Sequence, residues 1–134
     1  LNPIQDSKED TDRDYNLALE LCFKNRDIVA IMAGTHNEES SLLLARLIED
    51  HNISKSDDRF WFAQLYGMSD HISFNLAFKG FNVAKYLPYG PVKEVLPYLS
   101  RRAQENSSVK GQSSRELSLI SKEMKRRKAL KKFV

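Results

Sequence analysis

The sequence has 134 residues, of which 41% are hydrophobic, 29% charged and 10% aromatic. This length fits one ordinary domain, and the apolar content excludes a disordered or low-complexity chain. No apolar run reaches the roughly 18 residues that a membrane-spanning helix needs, and residues 1–14 do not resemble a secretory signal peptide. The single cysteine, Cys22, excludes a disulfide scaffold and favours a reducing compartment, for which we expect the cytoplasm.

The net charge of +3 is unevenly distributed. Residues 121–134 hold seven Lys and Arg against one Glu, so this basic tail carries +6 and the rest of the chain −3. Such a tail could attract phosphates or an acidic lipid surface in a salt-dependent way. It lacks interleaved aromatic residues, so nucleic acid is not an expected partner, and a solvated helix face is the alternative.

The first predicted element is a helix capped near Thr11, because Tyr15, Ala18, Leu19 and Cys22 follow helical spacing and share one face. Cys22 is then a core residue. A short apolar run at residues 28–33 without alternation predicts a parallel strand buried on both faces, which ends before the sequence Gly34-Thr35-His36-Asn37.

Two further strand–helix units follow this first strand. The apolar stripe Leu43, Leu44, Leu47 and Ile48 predicts a helix that ends at His51, and a strand is predicted over residues 60–66. Ser69 and Asp70 are N-cap candidates for a helix that Gly80 terminates, before a third strand at 83–87. A helix from Pro91 to about Asn106 and, after a linker at 110–113, a last helix beginning at the capping box Ser113–Glu116 complete the chain.

This alternation is typical of a parallel α/β protein with crossover helices. Three parallel strands cannot close into a barrel and need cover on both faces and both edges. We therefore expect the chain to be part of a larger domain.

One helix face carries chemistry that suits an anionic ligand. Tyr98, Arg101, Arg102 and Glu105 follow i, i+3, i+4 and i+7 spacing, and paired guanidinium groups match a carboxylate or phosphate in bidentate geometry. The alternative is a solvated basic turn that complements the helix dipole.

Residues at the predicted strand ends form a second group of candidates, because ligands of parallel α/β folds bind at the carboxyl ends of strands. Thr35 and His36 follow the first strand, and Leu65 and Tyr86 end the second and third. His36 could donate to a ligand or cap the next helix, whereas Leu65 and Tyr86 could simply pack in a core. No metal is expected, since no Cys/His cluster has metal spacing, and neither a phosphate-binding glycine loop nor a nucleophile elbow is present.

The pieces resemble, in this order, the flavin-dependent proline dehydrogenases. The resemblance covers residues 11–108 and lies in these segments: Thr11-Asp12 with Tyr15-Asn16, 33–37 (AGTHN), 62–68 (FAQLYGM), 85–91 (KYLPYGP) and 98–106 (YLSRRAQEN). It implies the C-terminal part of a distorted (βα)8 barrel, here about three strand–helix units and an extra C-terminal helix. Residues 1–10 are then a lead-in, 11–108 the barrel portion, and 109–134 a linker with the basic helix.

The resemblance also implies an activity and residue roles. FAD would accept a hydride from L-proline to give Δ1-pyrroline-5-carboxylate, the first step of proline catabolism, and electrons would pass to a quinone or another acceptor. Arg101 and Arg102 would bind the proline carboxylate, with Glu105 supporting them. Tyr86 would be the catalytic-site residue that crowds the ring and favours proline over 4-hydroxyproline, with Tyr98 and Leu65 beside it. Thr35 and His36 would contact FAD.

Two features depart from the family pattern. Pro97 lies inside the predicted carboxylate-binding helix, where it would kink or split the first turns. The family's early strands, which carry a substrate-site lysine and aspartate and several FAD contacts, are not in this sequence, so we expect the chain alone to be inactive. Two other functions remain open from the residues. One is a non-catalytic interaction module whose arginine face and basic tail bind an acidic partner or nucleic acid, and the other is a flavin-free barrel enzyme acting on an anionic substrate.

Overall fold

The computed structural model describes residues 5–108 and 112–130, without the side chains of residues 103, 105–108, 112–116, 123, 126, 129 and 130. The chain divides after Tyr86 into two compact units. The elements of the first unit are α1 (Lys8–Lys24), β1 (Ile31–Gly34), α2 (Glu38–Asp50), β2 (Phe60–Leu65), α3 (Asp70–Phe78) and β3 (Val83–Tyr86). The second unit contains α4 (Val92–Ser108) and α5 (Gln112–Leu130). The predicted α/β alternation is confirmed.

Helix α1 begins one turn before the predicted cap at Thr11. Ser7 is the N-cap residue, and its hydroxyl accepts a hydrogen bond from the Asp10 backbone N–H at 3.1 Å. Glu9 and Asp10 in the first turn complement the positive end of the helix dipole. Cys22 is half-buried against the core rather than fully inside it.

The three strands form one parallel sheet in the order β1-β2-β3. The prediction that β1 begins at Ile28 is wrong, because Ile28 is 86% exposed and its N–H bonds to the Asn25 carbonyl in the turn that follows α1. The strand begins at Ile31, where the backbone first pairs with the neighbouring chain segment at Arg59.

One face of the sheet carries the core. Ile31 and Ala33 of β1 and Phe60 and Phe62 of β2 are buried on this face, and the Phe62 ring meets Phe81 edge-on with 5.5 Å between centroids. The cluster is completed by buried residues of the helices, namely Leu19, Phe23, Leu44, Ala45, Ile48, Ile72 and Leu76. Burial of each large side chain contributes about 1.5–3 kcal/mol before the entropy of ordering is subtracted.

Within the described part of the first unit, residues 5–86, the helices pack on one face of the sheet, and we call the opposite face the open face. In-register positions of parallel strands share a face, which places Met32, Trp61 and Leu65 on the side away from the helices. Met32 is 63% exposed, so the prediction of a strand buried on both faces does not hold for β1 here.

The described part of the second unit contains two helices. Pro97 lies inside α4, which runs unbroken from Val92 to Ser108, so the expected splitting of this helix is wrong. The proline removes one backbone bond, and the turns on either side continue. Helix α5 starts at Gln112, which puts the predicted cap Ser113 inside it. Residues 109–111 of the predicted linker lie outside the described part, and the predicted domain boundaries remain a prediction.

Candidate functional site at the carboxyl ends of the strands

Leu65 and Tyr86 lie side by side at the end of the sheet. They are direct partners in the β2–β3 register and therefore share the open face, and the Tyr66 N–H bonds to the Tyr86 carbonyl at 2.9 Å. Leu65 is half-buried, whereas Tyr86 is 56% exposed. This pairing places an aliphatic and an aromatic side chain at one edge of the open face. Neither residue belongs to the buried core cluster, which was the alternative considered from the sequence.

The row of residues before this pair is unusually small. Gly34, Ala63 and Ala84 are in register across the three strands, and a Cβ placed on Gly34 would meet no atom within 4 Å. The open face therefore has space at Gly34, in the row that precedes Leu65 and Tyr86.

The loop from β1 to α2, residues 35–37, is held by its own side chains. The Thr35 hydroxyl accepts the Asn37 backbone N–H at 3.0 Å and keeps its own hydrogen for donation to another group. Asn37, rather than His36, is the N-cap of α2, and its amide oxygen accepts the Glu39 N–H at 2.9 Å. Hydrogen bonds from Lys8 and Asn37 hold the pKa of the Asp12 carboxyl below its ordinary value, which links α1 to the same loop.

His36 connects the ends of β1 and β2. Its Nδ1 lies 2.8 Å from the Ser69 hydroxyl oxygen, and its Nε2 accepts the Leu65 backbone N–H at 3.5 Å. Strand β1 has ended at this level, so the imidazole takes the position that a strand carbonyl would occupy next to Leu65. His36 is half-buried, and its two contacts hold the ends of β1 and β2 together.

A buried polar pair fixes Thr35 from the helix side of the sheet. Gln64 is 2% exposed; its amide nitrogen donates to the Thr35 carbonyl at 3.3 Å and its amide oxygen accepts the Ser73 hydroxyl at 2.8 Å. Our sequence reasoning missed Gln64. The available signal was a polar residue at the position where β2 would continue the buried alternation of Phe60 and Phe62.

Lys85 anchors the loop from β2 to α3, residues 66–69. Its ammonium donates to the Met68 carbonyl at 2.6 Å and pairs with the Asp70 carboxylate at 2.8 Å. This lysine also escaped the sequence reasoning, although it precedes Tyr86 in the motif that carries the family resemblance. Polar contacts from β2 and β3 thus hold the 35–37 and 66–69 loops.

Two residues of the predicted arginine face are in contact in the second unit. The Arg102 guanidinium lies over the Tyr98 ring, with 5.4 Å from Cζ to the ring centroid, and both residues are half-buried. Arg101 is exposed one residue earlier on the same helix. Stacking on an aromatic face restricts the plane of the guanidinium group. The Glu105 side chain lies outside the described residues.

Residues 5–108 and 112–130 contain no group of three His, Cys, Asp or Glu side chains arranged to hold a metal ion. Within the same described residues, none of the helices combines the length and the apolar character that crossing a membrane requires.

The fold and these strand ends define an α/β protein with a parallel sheet, and comparison with known proteins identifies its family. The proline dehydrogenase family model matches residues 2–115, and the chain belongs to this family. It is 45% identical over 131 residues to mitochondrial proline dehydrogenase 1 of Caenorhabditis elegans, covering 94% of this chain and 21% of that protein. It is 44% identical over 129 residues to the Bos taurus protein of the same name, with 94% and 22% coverage.

A bacterial relative carries a different name. The carbapenem antibiotics biosynthesis protein CarD of Pectobacterium carotovorum is 42% identical over 121 residues, covering 90% of this chain and 31% of that protein. The chain thus spans between about a fifth and a third of these relatives.

The expected cytoplasmic location is contradicted by the relatives. The proteins from Caenorhabditis elegans, Bos taurus and Arabidopsis thaliana are named as mitochondrial. A lone cysteine argues only against a disulfide scaffold and does not distinguish one thiol-reducing compartment from another. Mitochondrial targeting depends on an amphipathic, Arg-rich transit peptide, and Cys22 gives no information on such a segment.

Proposed function

We propose that the protein containing this chain is a proline dehydrogenase that oxidises L-proline to Δ1-pyrroline-5-carboxylate. The observation that carries the proposal is the family match over residues 2–115, together with 45% identity to a relative of that name. Neither alternative function is favoured by a specific observation of this kind.

The fold proposed for the whole domain is a distorted (βα)8 barrel to which this chain contributes the last three strands. Support comes from three parallel strands that alternate with helices and from a sheet with one buried and one open face. In a barrel the open face would line the interior, and the carboxyl ends of the strands would form the active-site end.

The family implies a flavin, and we propose FAD. The residues at the strand ends fit such a group: the small row of Gly34, Ala63 and Ala84 leaves space for a planar ring, and the Thr35 hydroxyl has a hydrogen to donate. Thr35 and His36 are the residues of this chain proposed to hold it. When bound, the flavin supplies the hydride acceptor, while the protein supplies binding and orientation.

The substrate proposed is L-proline. In the first unit, Leu65 and Tyr86 would contact its ring, which is supported by their pairing on the open face. In the second unit, Arg101 and Arg102 would bind its carboxylate, with Tyr98 beside them and Glu105 in support. This second assignment depends on the family's sequence pattern, and the Arg102–Tyr98 stacking is consistent with a preorganised guanidinium.

Electrons would pass from the flavin to a quinone or another acceptor, and the names of the relatives support a mitochondrial location for the protein. The basic tail would assist a peripheral encounter with an anionic membrane. Its described part lies in α5, where Leu117, Ile120 and Met124 are exposed together with basic side chains such as Lys125 and Lys128. Co-sedimentation of the full-length protein with anionic and neutral vesicles, with and without residues 121–134, tests this part.

The central test is the visible spectrum of the purified full-length protein without oxygen. Flavin bands that bleach on addition of L-proline, and the appearance of pyrroline-5-carboxylate, are the expected results. The D enantiomer is the control for specific binding, and chromatography of the acid-released cofactor distinguishes FAD from FMN. A colourless protein, or bands that do not respond to L-proline, would contradict the proposal.

A further inference from the structure

Ser69 has an uncommon combination of properties. It is 2% exposed and adopts the left-handed conformation, with φ 50° and ψ 41°. A residue with a Cβ adopts this region at a cost in free energy, and such strain in a folded protein calls for a local cause. Ser69 also occupies the N-cap position of α3, yet its side chain makes no capping hydrogen bond.

The Ser69 hydroxyl is directed instead at His36, which is 33 residues earlier in the chain. The distance from Ser69 Oγ to His36 Nδ1 is 2.8 Å, and His36 Nε2 accepts the Leu65 N–H at 3.5 Å. A neutral imidazole carries one N–H, so the contact with Leu65 places that hydrogen on Nδ1, which then donates to Ser69. The two contacts, one at each ring nitrogen, restrain the plane of the ring.

The loop that carries Ser69 is itself anchored on the far side. Lys85 of β3 binds the Met68 carbonyl and the Asp70 carboxylate on either side of Ser69. Ser69 therefore connects β3 and the 66–69 loop to His36 in the 35–37 loop. Each contact in this series joins residues of the first unit.

We propose that Ser69 is a positioning residue for the flavin, whose hydroxyl orients the His36 ring and holds the 35–37 loop at the cofactor. This inference rests on the proposed function, in which Thr35 and His36 contact the flavin. Ser69 acts through His36 and touches neither the flavin nor proline. Loss of the hydroxyl should therefore weaken flavin binding while the KM for proline changes little.

The test is a titration of the flavin-free full-length protein with FAD, followed by quenching of flavin fluorescence. Ser69→Gly removes the hydroxyl and relieves the positive φ, and Ser69→Ala removes the hydroxyl and keeps that φ. Both variants should bind FAD about fivefold more weakly than the parent protein, the effect of one neutral hydrogen bond. If Ser69→Gly does not fold, Ser69→Ala provides the same comparison.

Asn52→Gly is the matched control. Asn52 is the second non-glycine residue with positive φ in the described part of the chain, at 54°, and it is exposed in the turn after α2. Like Ser69→Gly, Asn52→Gly places a glycine at a positive φ, but it removes no contact with His36. The FAD affinity of Asn52→Gly should equal that of the parent protein.

A double-mutant cycle with His36→Ala tests the route of the effect. If Ser69 acts through His36, Ser69→Gly causes no further loss of FAD affinity once His36 is alanine. Unchanged FAD affinity in both Ser69 variants, or losses that add in the double mutant, would overturn the inference while the proposed function stands. A parent protein that binds no FAD would overturn the proposed function and this inference with it.

Discussion

Replacing Gln64 by leucine tests whether the buried amide holds the strand ends in place. The side chain is 2% exposed, donates to the Thr35 carbonyl at 3.3 Å and accepts the Ser73 hydroxyl at 2.8 Å. Leucine has a similar volume and makes neither bond. The Ser73 hydroxyl keeps a second acceptor, the Ser69 carbonyl at 3.3 Å, so the Thr35 carbonyl is the group that loses this partner.

The expected destabilisation follows from these contacts. Each neutral hydrogen bond contributes about 0.5–1.5 kcal/mol net, and an unsatisfied buried acceptor costs about 1–3 kcal/mol. The retained Ser73 bond reduces the loss, and the added apolar surface of leucine offsets part of it. We expect Gln64→Leu to lower the free energy of unfolding by about 1–2 kcal/mol.

The assay is urea unfolding of the full-length protein without flavin. Gln64→Glu should destabilise more than Gln64→Leu, because a buried carboxylate would face the Thr35 carbonyl without a hydrogen to donate. A Gln64→Leu protein as stable as its parent, or a more stable Gln64→Glu, would refute the role assigned to this amide.

Three further predictions concern the substrate and the framework. Arg101→Met should raise the KM for L-proline about tenfold or more, and Arg101→Lys should recover only part of that loss, because lysine lacks the planar guanidinium group. An unchanged KM in steady-state kinetics would count against carboxylate binding by this helix. Tyr86→Ala should increase kcat/KM for 4-hydroxyproline relative to L-proline, and an unaltered ratio would exclude Tyr86 from the ring contact. Hydrogen bonds from the Arg59 side chain and backbone lower the pKa of Asp57 from 3.8 to about 2. The carboxylate therefore stabilises the fold fully above its unfolded pKa and loses this contribution as pH falls through about 2. The difference in free energy of unfolding between the parent and Asp57→Asn should be constant near neutrality and shrink between pH 4 and 2. A difference that does not vary across that range in acid-unfolding curves would rule out this linkage.

The sequence predicted the elements whose patterns are long and unambiguous. Helix α2 ends at Asp50, next to the predicted stop at His51, and β2 covers all but the last predicted residue. The start of β1 was wrong because hydrophobicity alone does not separate a strand from the apolar turn at Ile28, whose backbone bonds to Asn25. The cap of α1 was wrong because Ser7 and Thr11 are both good cap residues and local sequence does not rank them.

The candidate site was predicted in part. Position at a strand end pointed to Thr35, His36, Leu65 and Tyr86, and the structure pairs the last two directly. The contacts that orient them join residues far apart in sequence, such as Ser69 with His36 and Gln64 with Thr35. No local pattern encodes such pairs. Ser69 was correctly placed at the start of α3, but its side chain serves another loop.

The two ends of the sheet use polar side chains differently, which supports a functional site at the carboxyl end. At the amino end, Arg59 binds Asp57 and the Arg26 carbonyl, and Asn82 bonds to the Asp57 and Phe60 carbonyls, so these groups tie neighbouring backbone segments together. At the carboxyl end, polar contacts on the helix side fix the two loops, while the row next to Leu65 and Tyr86 on the open face is made of small residues with space at Gly34. In a parallel α/β fold, the first arrangement stabilises the structure and the second leaves room for a ligand held by rigid loops.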